Sequence, residues 1–305
     1  MKLGYLFSGQ GKQFANMGQD LYQQEPKYRQ AIDEASEALN MDMSATDVFD
    51  DPNNTQTAIV AMSTGIDRIL TADGLKPIGA TGLSLGEYSA LVAAGGLEFA
   101  EALRLVQDRS HYMAKAGMDH PGKMAAVLKA NSTLVHQAIE VGAQQGEIYP
   151  ANYNTDSQIV IGGSPAGLQA ATEYLHEHGI KRVVPLKMSV ASHTPFMQTA
   201  ADQLANRIKD VSISPLKFPV VSNTTAQPFE VANLKQTLVD QLVNPTHFYD
   251  CLQQLIKLSA TTFVELGPGD TLMKFAKKAV GSEAVFHIDS LDTLNDFRAK
   301  MKLVK

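Results

Sequence analysis

A serine set between two glycines, Gly82-Leu83-Ser84-Leu85-Gly86, is the pattern in this chain best suited to covalent chemistry. A strand-like run at 77–81 precedes it and a helical run at 87–94 follows. Strand, sharp turn and helix are what a nucleophile elbow requires. A side chain at 82 or 86 would collide with neighbouring backbone, while the central hydroxyl projects outward. The helix that follows points its free N–H groups at the spot where negative charge develops during acyl transfer. A glycine-rich turn with a bystander serine is the plainer reading, and the flanking context argues against it.

Ser84 needs a base. Of the eight histidines, His176 and His178 fall in the last turn of a helix, where positive charge suits the dipole. His111 and His136 belong to amphipathic helices, His120 to a loop and His287 to a strand. His193 follows the apolar run 183–190 and precedes Thr194-Pro195, a strand-to-helix junction able to face a cleft. His247, in Asn244-Pro245-Thr246-His247, is the second candidate. Such a base needs an acceptor on its other ring nitrogen, and no aspartate occupies an obvious triad position. The helix expected over 234–242 stops before Asn244-Pro245, which frees carbonyls near Gln241. These either meet solvent or accept the imidazole N–H.

Arg109 neighbours Leu105, Val106 and Met113 on the apolar face of a helix expected over 99–116 and ending near Gly117. Arg104, beside Glu101 and Asp108, reads instead as part of a solvated ion cluster. A guanidinium on an apolar face needs an anion, either an internal carboxylate or one carried by a substrate. The Gly9-Gln10-Gly11 loop after the first strand brings backbone N–H groups to the ligand edge of a parallel sheet. It lacks the Gly-x-Gly-x-x-Gly pattern and a Walker lysine, so nucleotide binding by those devices is unsupported.

Around these residues, strands and helices alternate, which predicts an α/β fold with a largely parallel central sheet. Between about 122 and 189 the rhythm changes to strand 124–128, helix 131–144, strands 148–152 and 158–161, helix 165–178 and strand 182–186. That βαββαβ order is expected of a ferredoxin-like domain at 122–189, inserted into a catalytic domain of 1–121 and 190–305. The catalytic domain ends with strand 262–266, a Gly267-Pro268-Gly269 loop and a helix from 271.

At 305 residues the chain can bury a substantial core, and 44% hydrophobic with 19% charged residues is ordinary for a globular protein. A net charge of −6 without a basic stripe argues against nucleic acid as a partner. One cysteine, Cys251, gives neither an intrachain disulfide nor metal-ligand spacing, and fits a reducing cytoplasm. The first residues read as a buried strand, not a signal peptide, and no run reaches membrane-spanning length. No metal or redox cofactor is expected.

Together these pieces resemble the malonyl-CoA:acyl carrier protein transacylases of fatty-acid synthesis and the acyltransferase domains of polyketide synthases. The likeness runs through Phe7-Ser8-Gly9-Gln10-Gly11, Gly82 to Ala90, Arg109, Asn152-Tyr153-Asn154, Ser192-His193-Thr194, Gln241 and Glu265-Leu266-Gly267-Pro268-Gly269. It implies an α/β-hydrolase-like large domain with Ser84 as nucleophile and His193 as base, oriented by the main-chain carbonyl of Gln241. It further implies an oxyanion hole from the N–H groups of Gln10 and Leu85, Arg109 on the malonyl carboxylate, and Asn152 and Asn154 near the pantetheine arm. Malonyl-CoA and an acyl carrier protein are the implied partners, with the coenzyme A thioester as substrate. Three positions depart from the pattern: Leu83 where many relatives have histidine, Asp156 where proline is common, and Ser192 where some malonyl-selective relatives carry phenylalanine.

Lys274, Lys277 and Lys278 recur at helical spacing after the Gly267-Pro268-Gly269 loop, as a carrier-protein docking face or merely a solvated one. Two other functions share the frame. A serine esterase or thioesterase would use water as acceptor, and a non-catalytic docking subunit would keep only the fold. Arg109 weighs against the first and the intact Ser84, His193 and Arg109 against the second.

Overall fold

The first strand, β1 (Leu3–Phe7), is buried at all five positions because it is the middle strand of a parallel sheet covered on both faces. The computed structural model describes residues 1–187, 190–281 and 284–302. The remaining strands are β2 (Pro77–Gly82), β3 (Lys123–Leu128), β4 (Ile148–Thr155), β5 (Gln158–Gly163), β6 (Val183–Pro185), β7 (Val220–Val221), β8 (Thr262–Leu266) and β9 (Val285–Ile288).

Five of them form one parallel sheet in the order β7-β2-β1-β8-β9. Its register determines where chemistry can occur. Phe7 lies opposite Gly82 on one side and Leu266 on the other, and Thr81 lies opposite Val221. The strands therefore end level, and the residues just beyond them meet at one carboxyl edge. Those residues are Ser8-Gly9-Gln10, Leu83-Ser84, Ser222-Asn223 and Gly267-Pro268-Gly269. The helix Thr55–Ala72 lies against this sheet and is buried around most of its circumference, including the polar Gln56 and Thr57.

The other four strands form an antiparallel sheet in the order β4-β5-β3-β6. With the helices Ser132–Gly142 and Pro165–Glu177 they give the expected βαββαβ chain order in a ferredoxin-like arrangement. This unit has its own core, in which Val127, Val135, Ile148, Ile159, Ile161 and Leu175 pack together. Asn131 caps the first of its helices through the N–H of Leu134 at 2.8 Å, and Ser164 caps the second. The expected end of the insert, at residue 189, lies outside the described residues.

Several boundaries differ from the sequence expectation. The helix Phe99–Asp119 runs past Gly117, which is a packing residue: a Cβ there would lie 2.0 Å from Val190 Cγ1. β4 extends past the expected end at 152 to Thr155, so Asn154 joins Asn152 in the strand. β6 stops at Pro185, so His193 stands on a longer connection, followed by the short 3-10 turn Pro195–Met197. Asp108 does not join Arg104; it pairs with Arg207 on the helix Gln198–Arg207 at 2.6 Å, and Arg207 also takes Glu101 at 2.8 Å. No helix among the described residues is long and apolar enough to cross a membrane.

Candidate active site

Ser84 sits at the turn between β2 and the helix Gly86–Ala93 with φ of 54°, a left-handed conformation that a serine keeps only when its surroundings impose it. The two glycines make that turn passable. A Cβ on Gly82 would come within 2.0 Å of the Gly86 carbonyl carbon, and one on Gly86 within 2.1 Å of the Phe7 oxygen. The side chains are excluded by backbone at both points, so the turn closes only with glycine.

Both peptide groups of Ser84 are held. Its N–H donates to Asn223 Oδ1 at 2.7 Å, and its carbonyl accepts from Gln241 Nε2 at 3.0 Å. Asn223 also donates from Nδ2 to the Gly82 carbonyl at 2.7 Å, which closes a clasp around the elbow. Asn223 and Gln241 are fully buried.

His193 is 4% exposed and, like Ser84, left-handed, with φ of 62°. Its Nδ1 lies 2.7 Å from the main-chain oxygen of Gln241, the residue that closes the helix Leu234–Asp240. Of the two donors left open by the sequence, solvent or imidazole, the carbonyl has the imidazole. Burial drives the ring's pKa down to about 4; the bond to Gln241 opposes this and the nearby charge of Arg109 reinforces it. The ring is neutral at physiological pH. His247 has other partners: its ring stacks on Tyr153 with centroids 5.0 Å apart, and its Nδ1 lies 3.5 Å from Asp250.

Arg109 is 1% exposed. It donates to Gln56 Oε1 at 2.7 Å, to Gln241 Oε1 at 3.1 Å and to Ser84 Oγ at 3.2 Å. None of these acceptors is charged, so the internal carboxylate pair is not what holds it. Its guanidinium also lies 5.5 Å from the centroid of the Tyr88 ring. Burial lowers its pKa, and its interactions with Tyr88 and Glu87 pull the other way. Glu87 is buried beside this group, and desolvation pushes its carboxyl up to about 8 despite hydrogen bonds from Asn223 and Gln241. With His193 neutral and no carboxylate among its own hydrogen-bond acceptors, the guanidinium lacks a directly bonded anion.

The Gln10 loop reaches the same place. Ser8 N–H donates to Leu266 at 3.1 Å, and Ser8 Oγ to Glu265 Oε1 at 3.0 Å, which pins the loop to the end of β8. Gly9 is required because a Cβ there would lie 2.5 Å from the Leu83 oxygen. Gln10 Oε1 accepts from Gln56 Nε2 at 3.0 Å. The N–H groups of Gln10 and Leu85 donate to no acceptor among the described residues, whereas Ser84, Gly86 and Glu87 N–H groups are all engaged.

Ser84, His193, Arg109, Gln241, Gln10 and Leu85 thus converge. Asn152 and Asn154 stand apart from that network. Asn152 donates to Thr246 Oγ1 at 2.7 Å, in a seam where Thr246 also bonds Ala151 and Tyr153. Asn154 is buried, with an Oδ1 that has no partner among the described residues. On the helix Thr271–Val280, Lys274 and Lys278 are exposed and Lys277 is half-buried; Lys274 is held by Asp270 at 2.8 Å.

Sequence reasoning missed Asn223, Gln56 and Glu87. Asn223 follows a two-residue strand whose only signal is the run Val220-Val221 before polar residues. Gln56 reads as a surface residue at a helix start, and Glu87 as a first-turn acid answering the helix dipole.

Fold and site define an α/β protein built around a serine elbow. A buried arginine is bonded to the serine hydroxyl, and a buried histidine is held by the same glutamine that grips the serine carbonyl. A family model described as an acyl transferase domain matches residues 4–295, and the chain belongs to that family. It is similar to the malonyl CoA-acyl carrier protein transacylase of Bacillus subtilis, 36% identical over 285 residues that span 91% of this chain and 90% of that protein. The crystal structure of MCAT from Streptococcus pneumoniae superposes with a TM-score of 0.94 at 38% identity, covering 98% of this chain and all of that one. A malonyl-transacylase solved in complex with its type II PKS acyl-carrier protein matches with a TM-score of 0.92 at 30% identity, covering 99% of this chain and 100% of that one.

Proposed function

We propose that this chain transfers a malonyl group from malonyl-CoA to the phosphopantetheine thiol of an acyl carrier protein through a malonyl–Ser84 intermediate. The observation that carries the reading is Arg109: a buried guanidinium 3.2 Å from the Ser84 hydroxyl, bonded only to neutral acceptors. An acyl group that brings its own carboxylate satisfies that charge, and a bidentate pair orients it over the serine.

Neutral His193 takes the Ser84 proton as the hydroxyl attacks the thioester carbonyl. As the malonyl carboxylate engages Arg109, the guanidinium exchanges the Ser84 oxygen for the stronger anionic partner. The N–H groups of Gln10 and Leu85, unengaged within the protein, receive the tetrahedral oxyanion. Coenzyme A departs with a proton from His193. The carrier-protein thiol then attacks the malonyl ester, again with His193 as base, and Ser84 regains its proton. In this reading residues 1–121 and 190–305 form the catalytic domain and 122–189 the inserted one, with Asn152 and Asn154 beside the pantetheine arm. The site residues supply the nucleophile, base and charge partner themselves, so the reading needs no metal or redox cofactor. The cytoplasm, where coenzyme A thioesters and carrier protein would both be met, is the expected compartment.

Intact mass after mixing with malonyl-CoA tests the first half, since Ser84 should carry one malonyl group. Discharge on adding carrier protein, faster than discharge by water, tests the second and separates transferase from thioesterase.

A further inference from the structure

The transfer steps leave unused a buried carboxyl that adjoins the serine turn. Glu87, in the first turn of the helix Gly86–Ala93, is fully buried. One of its carboxyl oxygens accepts the backbone N–H of Asn223 and the other accepts the side-chain amide of Gln241. Those two residues are the ones that hold Ser84: Asn223 takes its N–H and Gln241 its carbonyl. Gln241 also presents its main-chain oxygen to His193 and its Oε1 to Arg109. The carboxyl of Glu87 is therefore one residue removed from nucleophile, base and guanidinium at once.

This arrangement has a physical purpose. The left-handed backbone of Ser84 costs of order 1–3 kcal/mol and persists only where its surroundings over-determine it. Clamping both of its peptide groups does so, provided the clamps themselves are fixed. An acceptor beside the Gln241 amide also decides which end of that amide meets Arg109, because the NH₂ end must face Glu87 and Ser84. Reversal of the amide would set its N–H donors against the guanidinium.

We propose that Glu87 is a positioning residue for acyl transfer, holding Ser84, His193 and Arg109 in register through Asn223 and Gln241. The inference rests on the reading of Ser84 as the nucleophile. The alternatives are a Glu87 that only balances the charge of Arg109, or one that only stabilises the fold.

Glu87→Gln keeps the volume but must turn an N–H donor toward either the Asn223 N–H or the Gln241 amide. Single-turnover acylation of Ser84 is measured with malonyl-CoA and with p-nitrophenyl acetate, a small ester without a carboxylate. Misplacement of reacting groups by about 1 Å costs on the order of 10²-fold, and E87Q should lose about that much with both acyl donors. KM for malonyl-CoA should change little, and the protein should stay folded. Its stability should fall only by the cost of one mismatched buried hydrogen bond, too little to account for the rate loss. In a double-mutant cycle, E87Q and Asn223→Ala together should lose less than the product of their separate losses, because both act on one clamp. Three results would overturn the proposal: near-normal rates in folded E87Q, a loss confined to malonyl-CoA, or multiplicative losses in the cycle. If E87Q does not fold, Glu87→Asp, able to reach only one of the two donors, carries the same readouts. Wild-type protein that never acylates at Ser84 would instead reject the proposed function, and the inference with it.

Discussion

Nδ1 of His193 lies 2.7 Å from the main-chain oxygen of Gln241, so a neutral carbonyl stands where serine triads usually place a carboxylate. The base is oriented without acquiring a negative partner that would raise its pKa. Burial and the charge of Arg109 then leave the ring neutral down to about pH 4. Because the neutral ring is the active form, protonation on its acid side is what should stop the reaction. The rate of Ser84 acylation should stay level as pH falls from about 7 to about 5, and drop only on approaching the shifted pKa. An acid limb near the ordinary histidine value, measured by single-turnover kinetics, would count against His193 as the buried base.

Ser84→Ala should abolish malonyl labelling while the protein stays folded, since both clamps on residue 84 reach its backbone and the hydroxyl's lost partner, Arg109, keeps Gln56 and Gln241. Intact mass spectrometry decides this. Label retained in the alanine variant would move the nucleophile elsewhere.

Arg109→Ala should separate two acyl donors. Malonyl transfer falls steeply, while acetyl transfer from acetyl-CoA is kept or rises, because no carboxylate is left unpaired. Gln56 and Gln241 each lose a donor, so a stability loss of about 1–3 kcal/mol is expected alongside. Measuring kcat/KM for both thioesters checks the prediction; an equal loss with both would reject Arg109 as the selector.

Gly86→Ala should be far more damaging than an exposed glycine-to-alanine change. Its Cβ would press on the Phe7 oxygen at 2.1 Å, so the end of β1 and the helix Gly86–Ala93 must part. Overpacking of this kind costs typically about 1–3 kcal/mol. Thermal unfolding should show that loss, and acylation should fall further than stability alone explains, because the displaced β1 end carries the Gln10 N–H.

Reversal of Lys277 and Lys278 to Glu should raise KM for an acidic carrier protein, most at low salt, and spare KM for malonyl-CoA. Lys278 is exposed and Lys277 half-buried, so Lys278 should carry more of the effect. Equal KM values at low and high salt would place docking elsewhere.

Local pattern determined a great deal here. Strand, glycine turn, serine and helix are contiguous, so the elbow at Ser84 was legible from steric rules that operate within a few residues. The βαββαβ rhythm likewise follows from local periodicity and caps such as Asn131. What remained open were pairings between distant positions. Position put His193 only modestly ahead of His247; they differ because one was folded against the Gln241 carbonyl and the other against Tyr153 and Asp250. Arg109 sat on an apolar face in the sequence, yet only folding revealed that its acceptors are neutral. Asn223, Gln56 and Glu87 carry no local mark of the contacts they make. Their role arises because level strand ends in a parallel sheet bring residues 139 positions apart within 2.7 Å, as at Ser84 and Asn223. Sequence encodes such contacts only through the register of the whole sheet, which the burial of β1, β2 and β8 together decides.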